Sequence, residues 1–215
     1  MRPSSSRSPP HSEAERSSPE PCVVIADFPD VLGAVESAYQ RHFAVAPARA
    51  SITFLGVQPI EVLRFVELGQ HNYLTLGMSS YPMSRSSATV RGGTSGSRAE
   101  LLVSTIGRAD GLRLQLAVLA AAPAVEGAVY EAGGSVDLGA PLILGSRCTG
   151  GLLVDGPLAP VAIAGAVYVR VLRLLPATEE ELRWARVHGR AALLTRWSAQ
   201  GTELADLGRH PADLD

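Results

Sequence analysis

A mixed domain, in which short strands pair antiparallel and helices lie at the beginning, middle and end, is what the sequence predicts. Three observations predict it: a three- and four-residue apolar rhythm after Asp30, a series of short β-prone runs between Gly and Pro turns, and a late capping box that opens a terminal helix. Of the 215 residues 46% are hydrophobic, enough for one sizeable core once a polar amino terminus is set aside, and too few for two full domains.

Asp27 or Asp30 can cap a first helix running to about Phe43, since Val31, Val35, Ala38, Tyr39 and His42 recur on one face. Residues 50–57 and 60–66 read as strands separated by the turn-prone Gln58-Pro59, and Gly69-Gln70-His71 returns the chain into a third strand. That apolar run ends at Thr75-Leu76 and is broken by Gly77, after which Met78 and Met83 flank a polar turn containing Pro82. Residues 99–103 form the next strand, paired hairpin-fashion with the previous one across a long Gly/Ser-rich connection that includes residues 92–97.

Residues 111–121 suit a middle helix closed by Pro123, although the alternating Leu112, Leu114 and Leu116 admit a strand. Residues 135–138, 142–144 and 151–154 read as short strands and 166–174 as a longer one. Thr178 and Glu181, directly after Pro176, make a T-x-x-E capping box and start a terminal helix. Trp184, Val187, Ala191 and Leu194 share one face of it, and Leu182, Ala185, Gly189, Ala192 and Leu193 widen the apolar stripe, so the helix is expected to pack deeply. The organisation expected is a disordered Ser/Pro-rich tail over 1–21, a domain over 22–200, and a loose acidic tail over 201–215 with at most a short helix.

Composition narrows the function. A formal net charge of −2 with scattered arginines argues against a nucleic-acid surface. The amino terminus lacks the apolar core of a secretory signal, and the longest apolar stretch, residues 158–169, is too short to span a bilayer, so a cytoplasmic location without membrane contact is expected. Every Lys/Arg position is Arg, and Ala, Gly, Pro and Val abound, as GC-rich bacterial coding produces. Cys22 and Cys148 form no C-x-x-C pair and read by default as reduced thiols, with a disulfide between them as the alternative.

No catalytic motif, metal-ligand spacing or cofactor signature is legible. The five histidines show no H-x-x-x-H or H-E-x-x-H rhythm. Ser79 lacks the second glycine of a G-x-S-x-G elbow, and residues 92–97 lack the Gly-Lys-Ser/Thr ending of a phosphate loop. Glu100, if buried, needs a partner such as Arg98 or a backbone donor.

The elements Thr75-x-Gly77-Met78-Ser79, Pro82-Met83, then Glu100-Leu101, then Pro176-x-Thr178-x-x-Glu181-Leu182 resemble, in this order, the signature of the suppressor of fused family, over roughly residues 23–197. The resemblance implies an α+β domain whose twisted sheet, mixed or mainly antiparallel, is covered by helices. It also implies a non-enzymatic domain that binds another protein, with animal relatives sequestering a transcription factor and bacterial ones looking like immunity proteins against polymorphic toxins. Tyr73, Thr75, Gly77, Met78, Ser79, Tyr81 and Met83 are the candidate partner-binding residues, used as a surface or beside a sheet edge open to strand addition. The same Met/Tyr cluster also reads as a structural corner beneath the sheet. Two alternatives stand beside this: a regulatory or scaffold partner in a larger assembly, and a small hydrolase marked by a grouping around His71 and Asp110.

Overall fold

A computed structural model describes residues 30–83, 96–163 and 167–215. The expectations for the 1–21 tail, Cys22, the Asp27 cap and residues 92–95 lie outside the described residues. The elements, in order, are α1 (Val31–Phe43), β1 (Ala48–Ile52), β2 (Ile60–Glu67), β3 (Gln70–Leu76), a 3-10 turn (Met78–Ser80), β4 (Arg98–Thr105), α2 (Leu112–Glu126), β5 (Ser135–Asp137), β6 (Cys148–Asp155), β7 (Val161–Ile163), β8 (Val167–Thr178), α3 (Glu179–His188) and α4 (Arg190–Gln200).

One eight-stranded sheet organises them, in the order β1-β2-β3-β4-β8-β6-β5, with β7 also paired to β8. The first four strands form an antiparallel meander, and β6 and β7 pair antiparallel with β8. At the centre β4 and β8 run parallel, from Arg98 opposite Val169 to Leu102 opposite Arg173. The sheet is therefore mixed and the class α+β.

Alternation along the strands sends apolar side chains to both faces. On one face Ile60, Val62, Tyr73, Leu101 and Val103 pack with Leu112 and Leu116 of α2. On the other, Leu63, Phe65, Leu74 and Leu102 pack with Val35, Tyr39 and Phe43 of α1, where the Phe43 and Phe65 rings stack. Leu152 and Ala177 on that second face meet Leu182, Ala185, Leu193 and Trp197 of α3 and α4.

Several expectations are corrected. The first strand is Ala48–Ile52 and not 50–57, because the chain turns away through Gly56 at φ +80°. His42 lies outside the buried stripe of α1, which is Val35, Tyr39 and Phe43. Pro123 does not close α2. The carbonyl of Leu119, four residues back, loses its N–H partner to the proline ring and accepts from the Tyr130 hydroxyl at 3.0 Å, so the helix continues to Glu126. Burial and Glu126 raise the Tyr130 phenol to about 12, so it keeps the proton it donates.

Residues 142–144 make turns, not a strand: Leu142 is buried and Leu144 exposed. The terminal helix is two helices, since Gly189 at φ 95° and ψ 147° breaks the α-helical path. The buried side is the one carrying Leu182, Ala185 and Leu193, while Val187 stands 77% exposed. Residues 201–215 are non-helical but not loose. Ile106 N–H donates to Ala205 O at 3.1 Å, Ser146 Oγ donates to Leu207 O at 2.6 Å, and Arg209 is buried.

Candidate functional site

The loop after β3 is built around a carboxylate. Gly77 adopts φ 136°, a value that side chains resist, and there the chain leaves the sheet for the single turn Met78–Ser80. Glu100 on β4 is fully buried beneath that turn. Its Oε1 accepts from Gly77 N at 3.0 Å, Ser79 N at 2.9 Å and Ser79 Oγ at 2.6 Å, and its Oε2 accepts from Thr75 Oγ1 at 2.6 Å. Thr75 Oγ1 in turn takes the Leu101 N–H at 2.9 Å, and Thr75 O takes the Tyr39 hydroxyl at 2.9 Å, tying β3, β4 and α1 together.

Arg98, the cation expected opposite Glu100, does something else. It donates to the carbonyls of Ser79 and Ser80 at 2.6 and 2.8 Å and satisfies the end of the turn. Glu100 thus relies on backbone and hydroxyl donors. Burial pushes its carboxyl above the ordinary range, against the pull of the Ser79, Thr75 and Gly77 donors. Burial, helped by the Glu100 charge, likewise raises the Tyr39 phenol, which stays a donor.

The candidate partner-binding residues come together here, and nearly all face inward. Tyr73, Thr75, Gly77, Met78, Ser79 and Met83 are buried, with Tyr73, Met78 and Met83 in the core beneath α2. Tyr73 accepts the Ala109 N–H on its hydroxyl at 2.7 Å, and Met83 closes the loop by bridging to Ser97. Tyr81, 44% exposed, is the candidate that reaches solvent. Six of the seven candidates thus lie in the core, as the structural-corner reading has it, and Tyr81 is the one that offers a side chain to solvent, because Met and Tyr gain more from the core than from water. Ser79 Oγ is spent on Glu100, away from any nucleophilic role.

Gly77→Ala is expected to destabilise the domain by about 2 kcal/mol, from the disfavoured φ and from a Cβ 2.9 Å from Pro59 O. Urea denaturation checks this, and an unchanged midpoint would dismiss the steric account.

A second buried polar assembly escaped sequence reasoning. Glu181 caps α3 as its motif requires, with Glu181 N donating to Thr178 Oγ1 and Thr178 N to Oε2. The same carboxylate also receives Arg209 bidentately at 2.7 and 2.8 Å, Trp197 Nε1 at 2.9 Å and Ala212 N at 2.9 Å. Burial alone would raise this carboxyl. The Arg209, Ala212, Thr178 and Trp197 donors outweigh it and hold the group below its usual range. The legible signal was Thr178-x-x-Glu181, and nothing local pointed to Arg209.

His71 and Asp110 do not form a hydrolase constellation. Asp110 pairs with Arg64, Arg108 and Arg113, and His71 makes no hydrogen bond to it. Among the described residues no group of three His, Cys, Asp or Glu side chains could hold a metal ion, and no helix is long and apolar enough to cross a membrane. Cys148 is buried, and burial raises its thiol.

The sequence model of the family described as Suppressor of fused protein (SUFU) matches residues 56–210, well over half of the chain. The chain belongs to the suppressor of fused family. No curated protein sequence matches this suppressor of fused chain. Among solved structures, a SUFU homologue from Neisseria gonorrhoeae is similar at a TM-score of 0.62 and 18% identity, over 85% of this chain and 96% of that one. The Sufu–Fu complex gives 0.62 at 12% identity, over 87% and 92%. Drosophila Suppressor of Fused gives 0.65 at 14% identity over 86% of this chain, which spans 51% of the Drosophila chain. In this suppressor of fused domain the signature residues Thr75, Gly77, Ser79 and Glu100 are one hydrogen-bonded unit, which gives the motif a physical reason: each supplies or receives a bond that buries the Glu100 charge.

Proposed function

We propose that this domain works by binding another protein without catalysing a reaction, and that its partner is a toxin which it neutralises in the cytoplasm. The observation that carries the reading is family membership over residues 56–210, joined to a fold shared with the protein of the Sufu–Fu complex. The N. gonorrhoeae homologue, covered over 96% of its length, supports a bacterial domain of about this extent, and the toxin-neutralising form is what the resemblance to bacterial members implies. The Sufu–Fu complex supports a second one, a regulatory partner in a larger assembly.

The contact face proposed is the lip of the 77–83 loop. Tyr81 makes the contact, and buried Tyr73, Thr75, Gly77, Met78, Ser79 and Met83 hold the loop in one conformation, so that little entropy is lost on binding. Strand addition at the outer edge of β1 supplies a neighbouring contact of extended backbone.

Affinity capture of the tagged protein from native lysate, followed by reconstitution with the captured protein, tests this. A one-to-one complex is expected, weakened about tenfold or more by Tyr81→Ala, as removal of a central tyrosine anchor does. Co-expression should relieve growth arrest caused by the captured protein. Absence of a stoichiometric partner counts against the protein-binding reading, and full affinity of Tyr81→Ala counts against the face. A non-toxic captured protein selects the regulatory reading.

A further inference from the structure

Where α2 begins, three guanidinium groups close on one carboxylate. Arg64 from β2 and Arg113 from α2 each reach Asp110 Oδ1 at 3.3 Å, and Arg108 reaches Oδ2 at 2.5 Å. Arg64 lies opposite Tyr73 in the β2–β3 register, and the Tyr73 hydroxyl holds the 106–110 loop over this end of the sheet through Ala109 N. His71 lies two residues before Tyr73 on the same face of β3.

One guanidinium suffices to neutralise and orient one carboxylate. Here three positive charges face one negative, and among the described residues no other carboxylate forms an ion pair with these arginines. Gathering like charges costs Coulomb energy that fastening a loop does not require. Donor capacity is also left over, since Arg64 Nε and Arg113 Nε are buried without hydrogen-bond partners. The Arg64 and Arg113 side chains are only 14% and 20% exposed, whereas Asp110 is 35% and Arg108 64% exposed, so the cluster is shielded at its base and open on the Asp110 side.

We propose that this cluster is an oxyanion site that takes the carboxylates of an acidic segment in the protein partner, with Asp110 as the internal carboxylate that the incoming one joins or displaces. The inference rests on the protein-binding reading above and names the chemistry of the partner. A carboxylate is the favoured ligand because the cluster already holds one, and the planar forks of Arg64, Arg108 and Arg113 suit carboxylate oxygens.

The test uses the full chain, a short glutamate-rich peptide, the same peptide with glutamine for glutamate, and inorganic phosphate as competitor, at low ionic strength. The glutamate peptide is expected to bind and its glutamine counterpart to fail, with phosphate competing. Arg113→Gln should weaken binding about tenfold, and Asp110→Asn should strengthen it about tenfold, each a change of about 1.4 kcal/mol. That gain separates a ligand site from a fastener, because a structural Asp110 predicts only loss. Equal binding by all three proteins, no peptide binding, or binding of phosphate alone overturns the inference. So does a captured partner retained in full by Arg113→Gln, an outcome that leaves the protein-binding reading standing.

Discussion

Glu100→Leu is expected to lower the unfolding free energy on the order of 4 kcal/mol, about 10 °C in Tm for a domain of this size. Leucine fills much of the space but leaves Gly77 N, Ser79 N, Ser79 Oγ and Thr75 Oγ1 without their acceptor in a site closed to water. Glu100→Gln should cost less, about 1–2 kcal/mol. Its amide oxygen keeps the donors on the Oε1 side, while its NH2 meets a Thr75 hydroxyl already engaged with Leu101 N. The pH dependence has a definite sign. The folded-state pKa of Glu100 lies above the ordinary value, so its stabilising contribution is full below the unfolded pKa and is lost as pH rises through the folded one. Wild type should therefore gain on Glu100→Gln as pH falls through the folded-state pKa of Glu100, the gain becoming complete below the unfolded value, about 4.3, at roughly 1.4 kcal/mol for each unit of upward shift. Urea denaturation of the three proteins across a pH series from neutral to about pH 4 measures this. A loss below about 1 kcal/mol for Glu100→Leu would reject the carboxylate as the strut of the loop.

Legibility in the sequence followed the range of the physics. The Thr178–Glu181 box was readable because both partners lie within one helical turn, and the geometry agrees with the motif bond for bond. The meander was readable from alternation and turn residues, since strand faces repeat every two residues. Pro123 misled, because its cost depends on the orphaned Leu119 carbonyl, and Tyr130, folded back from beyond the helix, supplies a donor no local rule anticipates. Gly189 misled in the opposite direction: an apolar stripe that looks continuous is cut by one backbone angle.

The site was half legible for the same reason. Thr75, Gly77, Ser79 and Glu100 stand out as a group because they bond to one another, yet a pattern of residues does not say whether its side chains face a partner or the core. Burial answers that they face the core, apart from Tyr81. The Arg64–Asp110–Arg113 cluster was half seen through Asp110. Arg108 and Arg113 lie two and three residues from Asp110, within reach of a local rule, whereas Arg64 comes from β2, 46 residues away, and no spacing revealed it.

Glu181→Ala is expected to be about as damaging as the loss of Glu100, about 3–5 kcal/mol, because it leaves the Arg209 guanidinium buried without its counter-charge. It also frees Thr178 N, Trp197 Nε1 and Ala212 N, so the capping box and the docked 205–212 segment fail together. Arg209→Met should cost less, since methionine is apolar and flexible and Glu181 retains those three N–H donors. The double variant Glu181→Leu with Arg209→Met should be milder than the sum of its parts by about 2 kcal/mol, because the second change removes the orphan that the first creates. In pH terms Glu181 opposes Glu100. Its folded-state pKa lies below the unfolded value, so its stabilisation is present above the unfolded pKa, about 4.3, and is lost as pH falls through the folded one. Denaturant midpoints of wild type and Glu181→Ala should stay apart from pH 7 to pH 5 and converge below pH 4. Parallel midpoints down to pH 3 would show that the Glu181 charge does not hold the segment. Additive losses in the double variant would show that Arg209 and Glu181 act separately.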